Sequence, residues 1–106
     1  MSKEQTTIET TAISLFNSEF GTDKLSRFKK VTEEFNETAE AFEKYLEIPS
    51  FGKVKDNTEH LKDEISDLYA TVTHFASLFN LNHNELLEMA IDKVETRKLN
   101  PNYKRL

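Results

Sequence analysis

The sequence predicts an all-α fold, a four-helix antiparallel bundle, and two observations carry this prediction. Only two glycines and two prolines occur in 106 residues, too few turn formers for a domain of many strands. Apolar residues recur at helical spacing in successive segments of the chain. Cysteine is absent, which excludes disulfide scaffolds, thiolate zinc sites and cysteine nucleophiles. The length suits a single domain over 1–106.

Two helices are predicted in the first half of the chain. The first covers about 4–20 and ends at Gly21, a typical helix stop. The second covers about 23–47, and either Thr22 or Asp23 can cap its start. The apolar rows predicted to be buried are Ile8, Ala12, Leu15, Phe16 and Phe20 in the first helix, and Leu25, Phe28, Val31, Phe35, Ala39, Phe42 and Leu46 in the second.

The main loop is predicted over 48–56, where Pro49 and Gly52 interrupt the helical pattern. It is long enough to reverse the chain, so the helices on either side form an antiparallel hairpin. The third helix is predicted over about 57–79. Its apolar row is Leu61, Ile65, Leu68, Val72, Phe75 and Phe79.

The fourth helix is predicted over about 83–99. Asn82 followed by Glu85 resembles a capping box at its start, and Pro101 ends it. The residues 100–106 then form a short basic tail. The apolar row of this helix is Leu86, Leu87, Ala90, Ile91 and Val94.

Composition limits the classes of partner. A net charge of -5 argues against a nucleic-acid polymer as the ligand. No apolar run exceeds three residues, so neither a membrane span nor a signal peptide is predicted, and the cysteine-free chain fits the cytoplasm. A hydrophobic content of 37% is low for so small a monomer, and burial between subunits of a homo-oligomer would add to a thin core.

Five acidic residues stand in two short patterns on neighbouring predicted helices. Glu33, Glu34 and Glu37 form E-E-x-x-E in the second helix, and Glu64 and Asp67 form E-x-x-D in the third. Each pattern alone is compatible with a solvated helix face. At about 100° per residue, however, both patterns lie on the same side of their apolar stripes. We therefore expect the last two acids of the first pattern and both acids of the second to converge in the hairpin.

Converging carboxylates repel one another and lose hydration, which is costly unless a cation neutralises them. Oxygen ligands without histidine or thiolate favour a hard ion, so magnesium is the predicted cofactor, with manganese as a substitute. A di-iron carboxylate bundle would instead carry Glu-x-x-His on facing helices. None of His60, His74 and His83 follows a glutamate at that spacing, which disfavours iron.

Lys93 and Arg97 continue the row of Leu86 and Ala90 along the fourth predicted helix. One interpretation is a helix end that leaves the core, with cations that complement the helix dipole. The other is that both cations reach the outer phosphates of a metal-bound polyphosphate. The residues alone leave both interpretations open.

Together these patterns resemble the MazG-like superfamily of all-α nucleoside triphosphate pyrophosphohydrolases, which includes dimeric dUTPases and phosphoribosyl-ATP pyrophosphohydrolases. The superfamily pattern is E-E-x-x-E, a spacer, E-x-x-D, and a later helix with a lysine and an arginine four residues apart. The chain matches these parts at 33–37, 64–67 and 93–97, and the resemblance covers about 8–103.

The resemblance implies magnesium-dependent hydrolysis of a nucleoside triphosphate (NTP or dNTP) to the monophosphate and pyrophosphate, in the housekeeping of nucleotide pools. It also implies a homodimer or homotetramer. The implied metal ligands are Glu34, Glu37, Glu64 and Asp67, the implied base or water-orienting residue is Glu33, and the implied phosphate contacts are Lys93, Arg97 and Asn100.

The part of the site that would bind the base is less well defined, because tryptophan is absent. Phe51, in the loop, and Tyr69 are the base-binding candidates, and Phe16 and Phe20 could also serve, although an aromatic residue at helical spacing is more often part of a core. Two other functions remain open on the sequence. One is a non-catalytic helical interaction module with an acidic cation-binding patch, and the other is a phosphoribosyl-ATP pyrophosphohydrolase.

Overall fold

A computed structural model describes residues 5–47 and 54–99, with side chains of the second stretch from 57 onward. The all-α prediction is confirmed, and these ranges contain no strand. The predicted loop at 48–56 is wrong at 54–56, which are helical, and its residues 48–53 and the predicted tail at 100–106 lie outside the described residues. Four helices follow one another along the chain, α1 (Thr7–Phe20), α2 (Lys24–Leu46), α3 (Val54–Ser77) and α4 (His83–Arg97).

Local capping fixes the ends of the helices. Asp23, one of the two predicted caps, is the N-cap of α2. The predicted capping box is confirmed, since Asn82 Oδ1 accepts the Glu85 N–H at 2.9 Å and Asn82 Nδ2 donates to Glu85 Oε1 at 2.8 Å. Gly21 follows α1 with a φ of 79°, a left-handed value that glycine adopts without strain. The predicted boundaries lie within about three residues of the observed ones, and the largest differences are that α1 begins at Thr7 instead of about residue 4 and α3 at Val54 instead of about residue 57.

α2 and α3 form an antiparallel hairpin. The rings of Phe28 and Phe75 lie 5.5 Å apart near one end, and Asn57 Nδ2 donates to the Lys44 carbonyl at 3.2 Å near the other. Early residues of α2 therefore face late residues of α3, and late residues of α2 face early residues of α3. The hairpin is the part of the fold that the predicted acidic site requires.

α1 crosses the second half of α3, and its buried positions differ from the prediction. Glu9 is buried because its Oε2 accepts the backbone N–H of His83 at 2.9 Å, at the start of α4. Asn17 packs on α3, where His74 Nε2 donates to its Oδ1 at 2.9 Å. The predicted row was wrong at Ile8, Leu15 and Phe20, which are exposed, and these two polar contacts set the rotation of α1.

The apolar rows of the hairpin are formed as predicted but are not covered within one chain. Among the described residues, the buried apolar side chains are Ala41 and Ala76 alone. The Cα radius of gyration is 17.0 Å, compared with about 13 Å for a compact domain of this length. α4 explains the difference, because its residues from Met89 to Leu99 are all exposed and cover neither helix. The prediction that these rows are buried is therefore wrong for an isolated chain at Leu25, Phe28, Phe35, Phe42, Leu46, Ile65, Val72, Phe79, Leu87, Ile91 and Val94.

Within the described ranges, no helix combines the length and the apolar content needed to cross a membrane.

Candidate metal and anion site

Three of the four acids expected to converge meet between α2 and α3. Glu34, Glu37 and Glu64 each place one carboxylate oxygen within 4.8 Å of the others. Asp67 lies outside this group, and it lines the cavity beside Glu34. We call the three glutamates the carboxylate cluster.

The side-chain hydroxyl of Thr38 joins the two helices at the level of the cluster. It lies 2.7 Å from the carbonyl of Glu34, one turn earlier on α2, and 3.1 Å from the carbonyl of Glu64 on α3, so that these two acceptors share its one hydrogen. Ala41, one turn later and fully buried, lets the backbones approach closely. The cluster is thus fixed by backbone hydrogen bonds and a small side chain rather than by long flexible contacts.

Two oxygens of the cluster are buried without a partner. Glu34 is only 6% exposed, and neither its Oε2 nor the Oε2 of Glu64 has a hydrogen-bond partner among the described residues. A buried carboxylate oxygen without a donor is costly, and a bound cation removes that cost. Hydrogen bonding to Glu34 and its negative charge raise the pKa of Glu37, and Glu64 adds to the effect. The donor set therefore fits a hard divalent cation.

Lys30 supplies a positive charge at the edge of the cluster. Its Nζ lies 3.1 Å from Glu34 Oε1 and 3.3 Å from Glu33 Oε2. Hydrogen bonds to these two carboxylates raise the pKa of Lys30. Glu33 itself, with a side chain 64% exposed, lies on the outer side of this lysine and not in the cluster.

A cavity of about 310 Å³ opens beside the cluster, between α1 and the α2–α3 hairpin. One carboxylate, Glu34, and two cations stand on its α2 wall, the Asp67 carboxylate lies on the α3 side, and the rings of Phe16 and Phe20 close its α1 side. The wall formed by α3 carries small and polar groups. The residues that line the cavity are Phe16, Phe20, Arg27, Lys30, Glu34, Asp67, Ala70, Thr71 and His74.

The other residues proposed from the sequence lie elsewhere. Lys93 and Arg97 belong to the exposed part of α4 and do not line the cavity. Tyr69 lines a different cavity, of about 210 Å³, where its hydroxyl is hydrogen-bonded to His83 Nδ1. Phe51 and Asn100 lie outside the described residues.

Arg27, Lys30 and His74 are cavity residues that sequence reasoning did not assign to the site. A signal existed for the two cations, since they precede Glu34 by seven and four residues and therefore share its helix face. From the sequence, His74 served only as evidence against an iron site. Its hydrogen bond to Asn17 joins residues far apart in the sequence, and no spacing rule gives such a contact.

The stability of the contact between α1 and α3 depends on pH through the protonation of His74. It is 3% exposed, and burial lowers its pKa, as does the nearby charge of Arg27, while a hydrogen bond with the Gly21 backbone acts in the opposite direction. A histidine with a lowered folded-state pKa binds its proton more readily in the unfolded chain. Neutral His74 therefore contributes its full stabilisation at pH values above its pKa in the unfolded chain, about 6.5. That stabilisation is lost as the pH falls through this value towards the lower pKa of the folded state.

We expect the melting temperature to fall between about pH 7.5 and about pH 5.5, and the His74→Gln variant to show a flatter profile over this range. Thermal melts followed by circular dichroism at constant ionic strength measure both profiles. His60→Gln, at an exposed position on α3, is the matched control and should follow the wild type. Identical slopes for wild type and His74→Gln would contradict the assignment.

A scan of the chain against models of known protein families finds no match, and searches of curated proteins and of solved structures find no significant match either.

Proposed function

We propose that the protein is a magnesium-dependent nucleoside triphosphate pyrophosphohydrolase of the MazG-like type. The observation that carries the proposal is the carboxylate cluster, with buried oxygens of Glu34 and Glu64 that lack partners, beside a cavity that also holds cations and aromatic rings. The mixed lining suits a ligand that is anionic at one end and flat and apolar at the other. A nucleotide has this chemistry.

The metal ligands in this proposal are Glu34, Glu37 and Glu64, with Asp67 as the fourth group at the cavity wall. Oxygen-only ligation favours magnesium, with manganese as a substitute. When bound, the cation neutralises phosphate charge and lowers the pKa of a coordinated water. Hydrolysis adds a water oxygen to one phosphorus of the α–β anhydride, and the P–O bond of the anhydride breaks to release the monophosphate and pyrophosphate.

Glu33 is the residue proposed to orient the attacking water and take its proton. It lies next to the cluster in sequence and is exposed, so water reaches its carboxylate. Lys30 Nζ lies 3.3 Å from Glu33 Oε2. The role depends on positioning, as phosphoryl transfer in general does.

The base would lie at the α1 end of the cavity. Phe16 and Phe20 present their rings there, 6.3 Å apart between centroids, and His74 lies 5.7 Å from the Phe16 ring. These rings offer a stacking surface for a flat heterocycle. Phe16 and Phe20 therefore replace Tyr69, which lines the other cavity, as the proposed base contacts.

The working protein is proposed to be a homo-oligomer in which the hairpins of two copies complete the bundle. Large apolar residues recur every seven positions along α2 and along α3 and the turn that follows it, the interval that places helical side chains on one stripe. Each of them is at least 40% exposed in one chain. A self-complementary stripe of this kind fits a second copy of the same chain. We call this stripe the apolar face, and its members are Phe28, Phe35, Phe42, Ile65, Val72 and Phe79.

The proposed activity is tested by incubation of the protein with each common NTP and dNTP, and with phosphoribosyl-ATP, in the presence of magnesium. Equal release of monophosphate and pyrophosphate is expected from at least one of them. Magnesium alone should also raise the melting temperature by several degrees at fixed ionic strength, because a cation that binds only the folded cluster stabilises it.

Calcium and sodium chloride at matched ionic strength are the controls for the melting experiment. No release from any nucleotide with magnesium or manganese, together with an unchanged melting temperature, would refute the enzyme and favour the non-catalytic interaction module. Release from phosphoribosyl-ATP alone would identify the protein as a phosphoribosyl-ATP pyrophosphohydrolase.

A further inference from the structure

The charged side chains of the cavity follow an order along α2. Arg27, Lys30 and Glu34 are spaced by three and four residues and all line the cavity. Along the helix axis, Arg27 precedes Glu34 by about 10 Å and Lys30 precedes it by about 6 Å. A ligand that extends from the carboxylate cluster towards Phe16 and Phe20 therefore passes both cations.

Arg27 has an unused donor in this cavity. Its Nε is buried and has no hydrogen-bond partner among the described residues, while its guanidinium carbon lies 5.6 Å from the centre of the Phe20 ring. The ring contact holds the planar group in place. A buried guanidinium donor without an acceptor is costly, and phosphate oxygens are acceptors that its geometry matches.

Lys30 occupies a position that a cation would share. Its ammonium group now neutralises Glu34 Oε1, the oxygen opposite the unpartnered Oε2. A divalent ion held by Glu34, Glu37 and Glu64 would supply that neutralisation instead, because it carries more charge and binds several carboxylates at once. Lys30 would then be available to an anion in the cavity, and this exchange involves no covalent step.

We propose that Arg27 and Lys30 are the residues that hold the phosphate oxygens of the substrate, in the role that the resemblance implies for Lys93 and Arg97. The identity of the anion as a polyphosphate rests on the proposed function. The anion site itself rests on the cavity, the unpartnered Arg27 nitrogen and the Lys30–Glu34 pair. Each cation acts on a different part of the chain of phosphates, Lys30 nearer to the cluster and Arg27 nearer to the rings.

The test is isothermal titration of the full-length protein with inorganic pyrophosphate in the presence of magnesium. Arg27→Met and Lys30→Met should each weaken pyrophosphate binding about tenfold or more, because each removes a charge-assisted hydrogen bond. Lys29→Met is the matched control, since it removes the same charge from an exposed neighbouring position on α2. The control should change the affinity by less than about twofold.

A second titration, with magnesium alone, separates the role of Lys30 from a purely structural one. Lys30→Met should bind magnesium more tightly than the wild type, because the cation no longer displaces an ammonium group from Glu34. The same variant therefore binds the metal better and the anion worse. A lysine that only supports the fold would lower both affinities together.

The outcomes distinguish this inference from the proposed function. If Lys93→Met and Arg97→Met weaken pyrophosphate binding while the α2 variants do not, the inference is overturned even if nucleotides are cleaved. If no nucleotide is cleaved but pyrophosphate binding depends on Arg27 and Lys30, the enzyme proposal fails and the anion site stands. If Arg27→Met does not fold, Arg27→Lys takes its place. This variant keeps the positive charge but loses the paired N–H donors of the guanidinium group, so it should also weaken pyrophosphate binding.

Discussion

Replacement of Glu34 by glutamine is expected to reduce magnesium-dependent nucleotide cleavage by about a hundredfold or more. Glu34 is the most buried member of the carboxylate cluster, and one of its oxygens has no partner among the described side chains. Glutamine keeps the volume but replaces one ligand oxygen by an NH₂ group, so the cluster loses a charge and a ligand together. Steady-state pyrophosphate release measures the loss of activity, and the melting temperature with and without magnesium measures the loss of binding.

Glu40→Gln is the matched control for this experiment. Glu40 lies on α2 as well, but it is exposed and is not part of the carboxylate cluster. Its replacement should leave both turnover and the magnesium-induced shift within about twofold of the wild type. A Glu34→Gln protein with wild-type activity and an undiminished magnesium response would rule out the cluster as the metal site.

The second large effect is expected at the apolar face. Phe35→Asp places a charge in the middle of the stripe, where Phe35 is 59% exposed in a single chain. If two hairpins bury this face, each copy loses a buried aromatic ring and gains a charge in an apolar interface, which is costly. The dissociation constant of the oligomer should rise about a hundredfold or more. Sedimentation velocity over a concentration series gives this constant directly.

Asn36→Asp is the control, because it adds the same charge one residue later, at an exposed position outside the stripe. It should leave the association constant nearly unchanged. A wild-type protein that sediments as a monomer at every concentration, with a cooperative thermal transition, would show that the single chain is stable with its apolar face exposed.

Much of the local structure was predictable because it depends on neighbouring residues. The caps at Asp23 and Asn82 and the left-handed turn at Gly21 are set within a few positions of the chain. The acids of α2 and α3 could likewise be placed on their helix faces, because helical phase depends on spacing alone. The hairpin then brings Glu34, Glu37 and Glu64 together.

Other parts of the candidate site could not be predicted, because they depend on how whole helices are rotated and placed. The rotation of α1 follows from the contacts of Glu9 with His83 and of Asn17 with His74, which connect residues distant in the sequence. That rotation brings Phe16 into the cavity and leaves Leu15 exposed.

The direction of α4 also could not be predicted from the spacing of its apolar residues. A row that continues from Leu86 to Arg97 suggests a helix that remains on the bundle, but the residues after Glu88 are exposed. Lys93 and Arg97 are therefore placed away from the cavity, and Arg27 and Lys30 are the basic residues that line it.

The sequence by itself determined that the chain is helical, where its helices begin and end to within about three residues, and which faces of α2 and α3 carry the acids. These properties follow from backbone propensity, capping and helical period, all of which act over about one or two turns. Only the tertiary structure decided which cations and aromatic rings share a cavity with the acids, and which apolar residues one chain leaves exposed. Those outcomes depend on the relative rotation and direction of whole helices, which contacts between distant residues fix.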